Sequence, residues 1–255
     1  MNISDTYSFI LSLLGAAAAG LVGGFALMKR MTLAGDVISH IALPGLGLAL
    51  LLKFNPLLGG AATLFLGTFL IWQLQKKTGL ATETAIGVMF AAAVAVGALV
   101  TPKEDLIEAL FGGFERISAW EFAVGLIAIG FIAFFIAKYK NRLVLSFFSP
   151  ELATAEGVNL SRVNLYFLLI FSLTIIMGLQ FLGALLVGAL IIIPAATARN
   201  LTGTLGSFLV ISAAVAILSV AAGYLVSTKL NLSLGPTVIS VASIIFGVSL
   251  FIRQK

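Results

Sequence analysis

The sequence contains no cysteine and a single histidine, His40. The first absence excludes disulfides, thiolate metal sites and cysteine nucleophiles together. The second excludes the H-E-x-x-H metalloprotease arrangement, which needs two histidines on one helix face. Charge is also scarce: only 10% of the 255 residues are Asp, Glu, Lys or Arg, against about 25% in soluble domains. That supply cannot cover a water-facing surface. Nor is there a Gly-Lys dipeptide, so the G-x-x-x-x-G-K-[ST] phosphate loop is missing. Any transport driven by ATP must borrow its nucleotide site from another subunit.

What is there is apolar. Hydrophobic residues make up 60% of the chain and the mean hydropathy is +1.16. Several runs reach the roughly 20 residues needed to cross about 30 Å of hydrocarbon. The composition predicts an all-α polytopic membrane protein, one compact bundle over 1–255. The opening "MNISDTYSFILSLLGAAAAG" has no positive start, and Asp5 carries the wrong sign for a signal peptide, so it reads as a retained first helix.

Apolar stretches between charged or turn-rich breaks give nine candidate helices, near 7–28, 33–52, 56–74, 83–101, 119–137, 164–181, 183–198, 205–227 and 235–252. With the N-terminus outside and spans alternating, only Lys53, Lys103, Arg116 and Lys229 of the 15 Lys and Arg fall outside. The other eleven fall inside. That bias favours N-out and C-in. The stretch 164–198 is broken only by "GLQFLG" around Gln180. Reading it as one span drops the count to eight and weakens the bias to nine against six, so two segments are preferred. Small residues recur four apart at Gly20 and Gly24, and at Gly59, Thr63 and Gly67. This spacing lets helix backbones approach in lipid and reads as generic packing.

Two connections are long. The outer one, 101–118, places Leu106, Ile107, Leu110 and Phe111 at amphipathic spacing and predicts a short helix lying against the bundle. The inner one, 138–162, contains "SPELATAEG". There Ser149 can cap, Pro150 suits the first helical position, Glu151 complements the positive helix end, and Gly157 can terminate in the left-handed conformation. The expectation is a two-turn helix of about seven residues, too short to stand alone in water. It either rests on its own bundle or docks a cytoplasmic partner.

The stretch "MTLAGDVISHIALPGLGLAL" (31–50) keeps Asp36, His40 and Pro44 inside an apolar span. Asp36 and His40 are four residues apart, one turn along one helix face. A carboxylate at a helix centre costs on the order of 2.5–3.5 kcal/mol, so it faces a cavity or a partner. Pro44 removes a backbone hydrogen bond and predicts a kink, and Gly35, Gly45 and Gly47 open the backbone. Three readings stand. The pair holds the bundle to a polar neighbour, or relays protons, or binds a divalent metal, for which carboxylate plus imidazole suits Mn, Fe(II) or Zn. Two ligands are too few for a tight site, but two copies on a twofold axis would supply four.

These residues carry a resemblance. The 31–50 stretch is similar to the G-D-x-x-S-H-x-x-L-P-G pattern of bacterial metal-ion ABC transporter permeases, the zinc/manganese/iron group called ABC-3. "SPELATAEGVNLSR" resembles that group's A-x-x-x-G-V-N segment through Ala153, Gly157, Val158 and Asn159. "LVGALIIIPAATARNLTGTLG" resembles its later Gly/Pro helix through Pro194, Ala195, Ala196 and Arg199. The resemblance implies a dimeric core of the vitamin B12/siderophore importer type in the bacterial cytoplasmic membrane. Its partners would be two nucleotide-binding ATPase subunits, an extracellular solute-binding protein and a second permease copy (identical or related), with no nucleic acid. It also implies that Asp36 and His40 line the metal path, and that 150–157 is the coupling helix. Pro150, Glu151, Ala153, Glu156 and Gly157 would then meet the ATPase, while Pro44, Gly45, Pro194 and Arg199 take structural or gating roles. One departure is "FFSP" before Glu151, where the group carries an acidic residue.

The function expected is ATP-driven import of a divalent metal ion by alternating access, with no permanently bound cofactor and no catalysis by this chain. The alternative is a proton- or ion-coupled secondary carrier acting without an ATPase. A serine protease is disfavoured because Ser39 and His40 are adjacent and face different ways.

Overall fold

The computed structural model describes residues 3–31, 33–100, 117–182 and 184–252. Among them there is helix and no strand. In chain order the elements are α1 (Ile3–Met28), α2 (Ala34–Ser39), a 3-10 turn (His40–Ala42), α3 (Leu43–Leu52), α4 (Pro56–Thr78), α5 (Thr82–Val100), α6 (Ala119–Phe148), α7 (Pro150–Ala155), α8 (Leu160–Leu182), α9 (Ala184–Leu201), α10 (Leu205–Leu230) and α11 (Leu234–Ile252).

Among the described residues, eight stretches are long and apolar enough to cross a membrane: α1, α2 with α3, α4, α5, α6, α8, α10 and α11. A shorter apolar helix, Val187–Leu201, lies within α9. α8 runs helical through Gln180 to Leu182, and α9 starts at Ala184; the residue between them lies outside the described residues. Glutamine is a good helix former and does not interrupt a turn.

Local chemistry explains several ends. Asn55 accepts hydrogen bonds from the Leu57 and Leu58 amides, Pro56 opens α4, and Gly79 closes it at φ 69°. Ser118 and Glu121 form a reciprocal capping box at the start of α6. The amphipathic helix expected around Leu106, Ile107, Leu110 and Phe111 lies outside the described residues. A correction concerns the inner connection. The run 138–148 is not loop but the last three turns of α6, which has 30 residues. Lys and Arg are good helix formers, and nothing breaks the helix until Pro150 disfavours the α conformation at Ser149. At 1.5 Å per residue α6 is about 45 Å long, well beyond the roughly 30 Å hydrocarbon core.

α1 lies at the centre, packed by α6, α8, α9 and α10 around Phe25, Phe167 and Phe171. The small-residue rows do pack. Ser212 Oγ donates to the Gly20 carbonyl at 2.6 Å where α10 crosses α1. A Cβ on Gly59 would run into the Gly45 carbonyl, and one on Gly67 into Ile41. Contacts join Tyr7 to Phe122 and Phe9 to Tyr224 at one end. At the other, Asn164 meets Gln75 and Lys29 meets Phe147. This sorting of helix ends is what alternating spans require.

Candidate metal centre and coupling segment

Pro44 has no N–H to give the His40 carbonyl, and the Leu43 amide donates to that carbonyl instead. The backbone tightens into a 3-10 turn over His40–Ala42, and Pro44 then sits in the first turn of α3. A 3-10 stretch inside a longer helix often marks a hinge. The disturbance expected at Pro44 is thus a 3-10 tightening within a span that stays helical from Ala34 to Leu52. The Asp36 to His40 spacing survives it, with Nε2 of His40 4.0 Å from Oδ1 of Asp36.

The Asp36 side chain is 51% exposed on this chain and that of His40 14%. His40 packs its ring against Phe90 of α5, centroids 5.6 Å apart, and its Nδ1 is buried with no hydrogen-bond partner. Ser39, buried, donates to the Asp36 carbonyl at 2.6 Å. Behind the pair, Gly188 of α9 leaves no room for a Cβ against the Asp36 backbone. The carboxylate is thereby held between a helix it touches and open space.

Two donors around a tetrahedral ion with bonds of about 2.0–2.2 Å lie roughly 3.4 Å apart. The 4.0 Å gap is close to that, and small side-chain rotations would bring both onto one ion. Among the described residues no group of three or more His, Cys, Asp and Glu forms. The pair offers two donor groups, with no third beside them among the described residues.

Of the other residues expected to matter, Gly45 is at the close crossing of α3 and α4. Pro194 is buried inside α9. Arg199 is exposed in the last turn of α9, suited to the negative helix end. It lies eleven residues beyond Gly188, about 16 Å along the axis, and is not brought to the pair.

The short inner helix folds nearly as expected. α7 spans Pro150–Ala155, and Gly157 takes φ 76°. The Val158 amide bonds back to the Ala153 carbonyl at 2.9 Å, and that of Gly157 to Thr154 at 3.0 Å. Asn159 then caps α8 through the Arg162 amide at 3.0 Å. Each position of the A-x-x-x-G-V-N pattern thus has a physical task, Ala153 being the buried anchor. One expectation fails. The Ser149 side chain makes no cap hydrogen bond; its carbonyl serves the Ala153 amide instead. Pro150, Glu151, Leu152, Glu156 and Gly157 are exposed, and Phe148 beside them is 65% exposed. α7 rests on α6 and α8 by one face and leaves the other open.

Sequence reasoning missed three residues. Phe90 and Gly188 carried no local signal. Lys29 was counted only as an inner charge, yet its ammonium is buried between the Phe147 and Phe167 rings.

The ABC 3 transport family matches residues 6–253. The chain is 31% identical to the manganese transport system membrane protein MntC of Halalkalibacterium halodurans, over 98% of this chain and 89% of that protein. It is 30% identical to the high-affinity zinc uptake system membrane protein ZnuB of Haemophilus influenzae, over 92% of each. It also superposes on a solved structure of PsaBC from Streptococcus pneumoniae in complex with Fab, with a TM-score of 0.85 and 25% identity, over 98% of this chain and 92% of that one. This helical bundle, matched along nearly its whole length, belongs to the ABC 3 transport family.

Proposed function

We propose that this chain is the membrane permease subunit of an ATP-binding-cassette importer for a divalent metal ion, manganese or zinc. The observation that carries the reading is the Asp36 and His40 pair. It sits beside a 3-10 turn in the second span, half open, with two donors near a metal's bite and no third among the described residues. A second copy across a twofold axis would complete four ligands and cover the exposed carboxylate. The names of the relatives support the choice of cargo.

Two ATPase subunits would dock at the open face of α7, on the cytoplasmic side of an N-out, C-in permease. Glu151, Glu156, Leu152 and Phe148 would form that contact. ATP binding and hydrolysis there would move α6 and α8, and with them the bundle. The outward-open state would take metal from an extracellular solute-binding protein, and the inward-open state would release it past Asp36. Transport demands different metal affinities in the two states. The 3-10 turn gives the pair a means of changing its separation, with Pro44 and Gly45 setting the hinge. A secondary carrier would need neither α7 nor a partner, and membership of an ABC family speaks against it.

The test is uptake of Mn, Zn and Fe(II) by the complete transporter in vesicles, comparing wild type with Asp36→Ala and His40→Ala at equal abundance. Loss of uptake with ATPase assembly intact is expected. Unchanged uptake in both variants would return the pair to a structural role.

A further inference from the structure

The Lys29 ammonium lies at the junction of the two functional segments. It donates to Asn164 Oδ1 of α8 and sits over the rings of Phe147, at 5.4 Å, and Phe167, at 5.3 Å. Phe147 is in the last turn of α6, two residues before Ser149. Asn164 and Phe167 are in the first turns of α8, just after the Asn159 cap. The ammonium therefore touches both flanks of α7 at once. As a whole residue Lys29 is partly exposed, while its charged end is turned inward.

The Lys29 nitrogen donates to Asn164, and that orders the neighbours. Asn164 must turn its oxygen to Lys29, so its Nδ2 donates to Gln75 Oε1 at 2.7 Å. Thr82, the first residue of α5, reaches the same oxygen at 3.4 Å. The Gln75 Nε2 is left buried without a partner. Four helices, α4, α5, α6 and α8, thus meet the end of α1 through one polarised chain. Beside it, Trp72 of α4 donates to the Ser161 carbonyl at 2.9 Å.

The other side of Lys29 leads to the metal pair. The Lys29 amide still bonds to Phe25, and Arg30 turns at φ 61°. The Met31 amide returns to the Ala26 carbonyl, Met31 itself is 1% exposed, and the Ala34 amide bonds to the Met31 carbonyl. This is a tight connection, with Asp36 only seven residues beyond Lys29. α5, which Thr82 begins, carries the Phe90 that packs on His40.

We propose that Lys29, ordered through Asn164 and Gln75, is a positioning residue that couples the flanks of α7 to the metal-bearing second span. A shift of α6 and α8 at the docking end moves Asn164 and Phe147, and the Lys29 connection carries it to α2. The inference rests on the importer reading above.

The test uses the complete transporter, permease with its ATPase and solute-binding partners, in proteoliposomes. ATP hydrolysis and metal uptake are measured in the same vesicles. Lys29→Met keeps the stem between the rings and removes the donor; Lys29→Arg keeps donors. Lys29→Met should leave hydrolysis near wild type while uptake per ATP falls about tenfold, within the usual range of inter-site coupling. Lys29→Arg should recover most of it. A wild-type ratio in Lys29→Met, or equal loss of hydrolysis and uptake, overturns the proposal. If Lys29→Met does not accumulate, Gln75→Leu, which breaks the chain one bond further on, must lower the same ratio or the proposal falls. Asp36→Ala runs alongside. Wild-type uptake in that variant brings down the importer reading itself, whatever Lys29 does.

Discussion

Two polar clusters lie seven residues apart in sequence and are built in opposite ways. Asp36 and His40 are left open. The carboxylate is half exposed, the Nδ1 has no partner, and the 4.0 Å gap is too long for a good hydrogen bond. Lys29, Asn164 and Gln75 are joined donor to acceptor and roofed by two aromatic rings, with the Gln75 Nε2 left over. A group meant to hold helices together gains most when it is sealed and paired. A group meant to take up and release an ion must keep coordination sites free. Both are costly in an apolar setting, and the proposed import function assigns the open pair to cargo and the other cluster to shape.

The largest expected effect tests the open pair. Asp36→Ala and His40→Ala should each lower metal uptake by at least about 100-fold, since even outer-shell partners of metal ligands are worth about 10–100-fold. Asp36→Ala should at the same time leave stability within about 0.5 kcal/mol, as surface substitutions do. Thermal unfolding in detergent would check this, and a large destabilisation would break the contrast.

The converse test strikes the sealed cluster. Asn164→Leu strands the Lys29 donor and leaves the Gln75 acceptor only the longer contact with Thr82, so unfolding in detergent should show a loss of about 1–3 kcal/mol. Metal binding to the pair should not change. Gly188→Ala comes next and separates the two again. A methyl there meets the Asp36 backbone, and overpacking costs about 1–3 kcal/mol. It should displace α2 and weaken uptake without disturbing the Lys29 chain.

The smallest effect is a pH response. Burial pushes the Lys29 ammonium down to about 7 from its ordinary 10.5. The groups facing it, Asn164, Gln75, Phe147 and Phe167, do not titrate, and no carboxylate pairs with it among the described residues. Between those two values the unfolded chain holds the proton and the folded chain has released it. Stability should therefore rise with pH across that window and show no slope from this group below it. The unfolding midpoint should climb from pH 7 to pH 9, and Lys29→Met should remove that part of the climb.

Much of this was legible because its causes are local. The helix of "SPELATAEG" follows from Pro150 at its start and Gly157 at its end, within one short stretch. The Asp36 and His40 pair follows from a four-residue spacing that a helix turns into proximity. What was misjudged had causes at a distance, or a competing local one. The last turns of α6 lie beyond the expected span because charge ends a span without ending a helix. Ser149, expected to cap α7, also closes α6 through its amide to the Leu145 carbonyl, at φ −142° and ψ 72°, and its side chain makes no cap hydrogen bond.

The sequence by itself determined a multi-span helical protein, the places where most spans start and stop, the residues that could hold a metal, and the short helix that a partner could grip. These rest on apolar run length, caps and turn residues, all of which act over a few residues. Only the tertiary structure decided that Gly188 would back Asp36, that Phe90 would pack on His40, and that Lys29 would turn inward between Phe147 and Phe167. Each of these depends on which helices meet and at what height. In an apolar bundle that is settled by close packing among many similar faces, and no single stretch of chain encodes it.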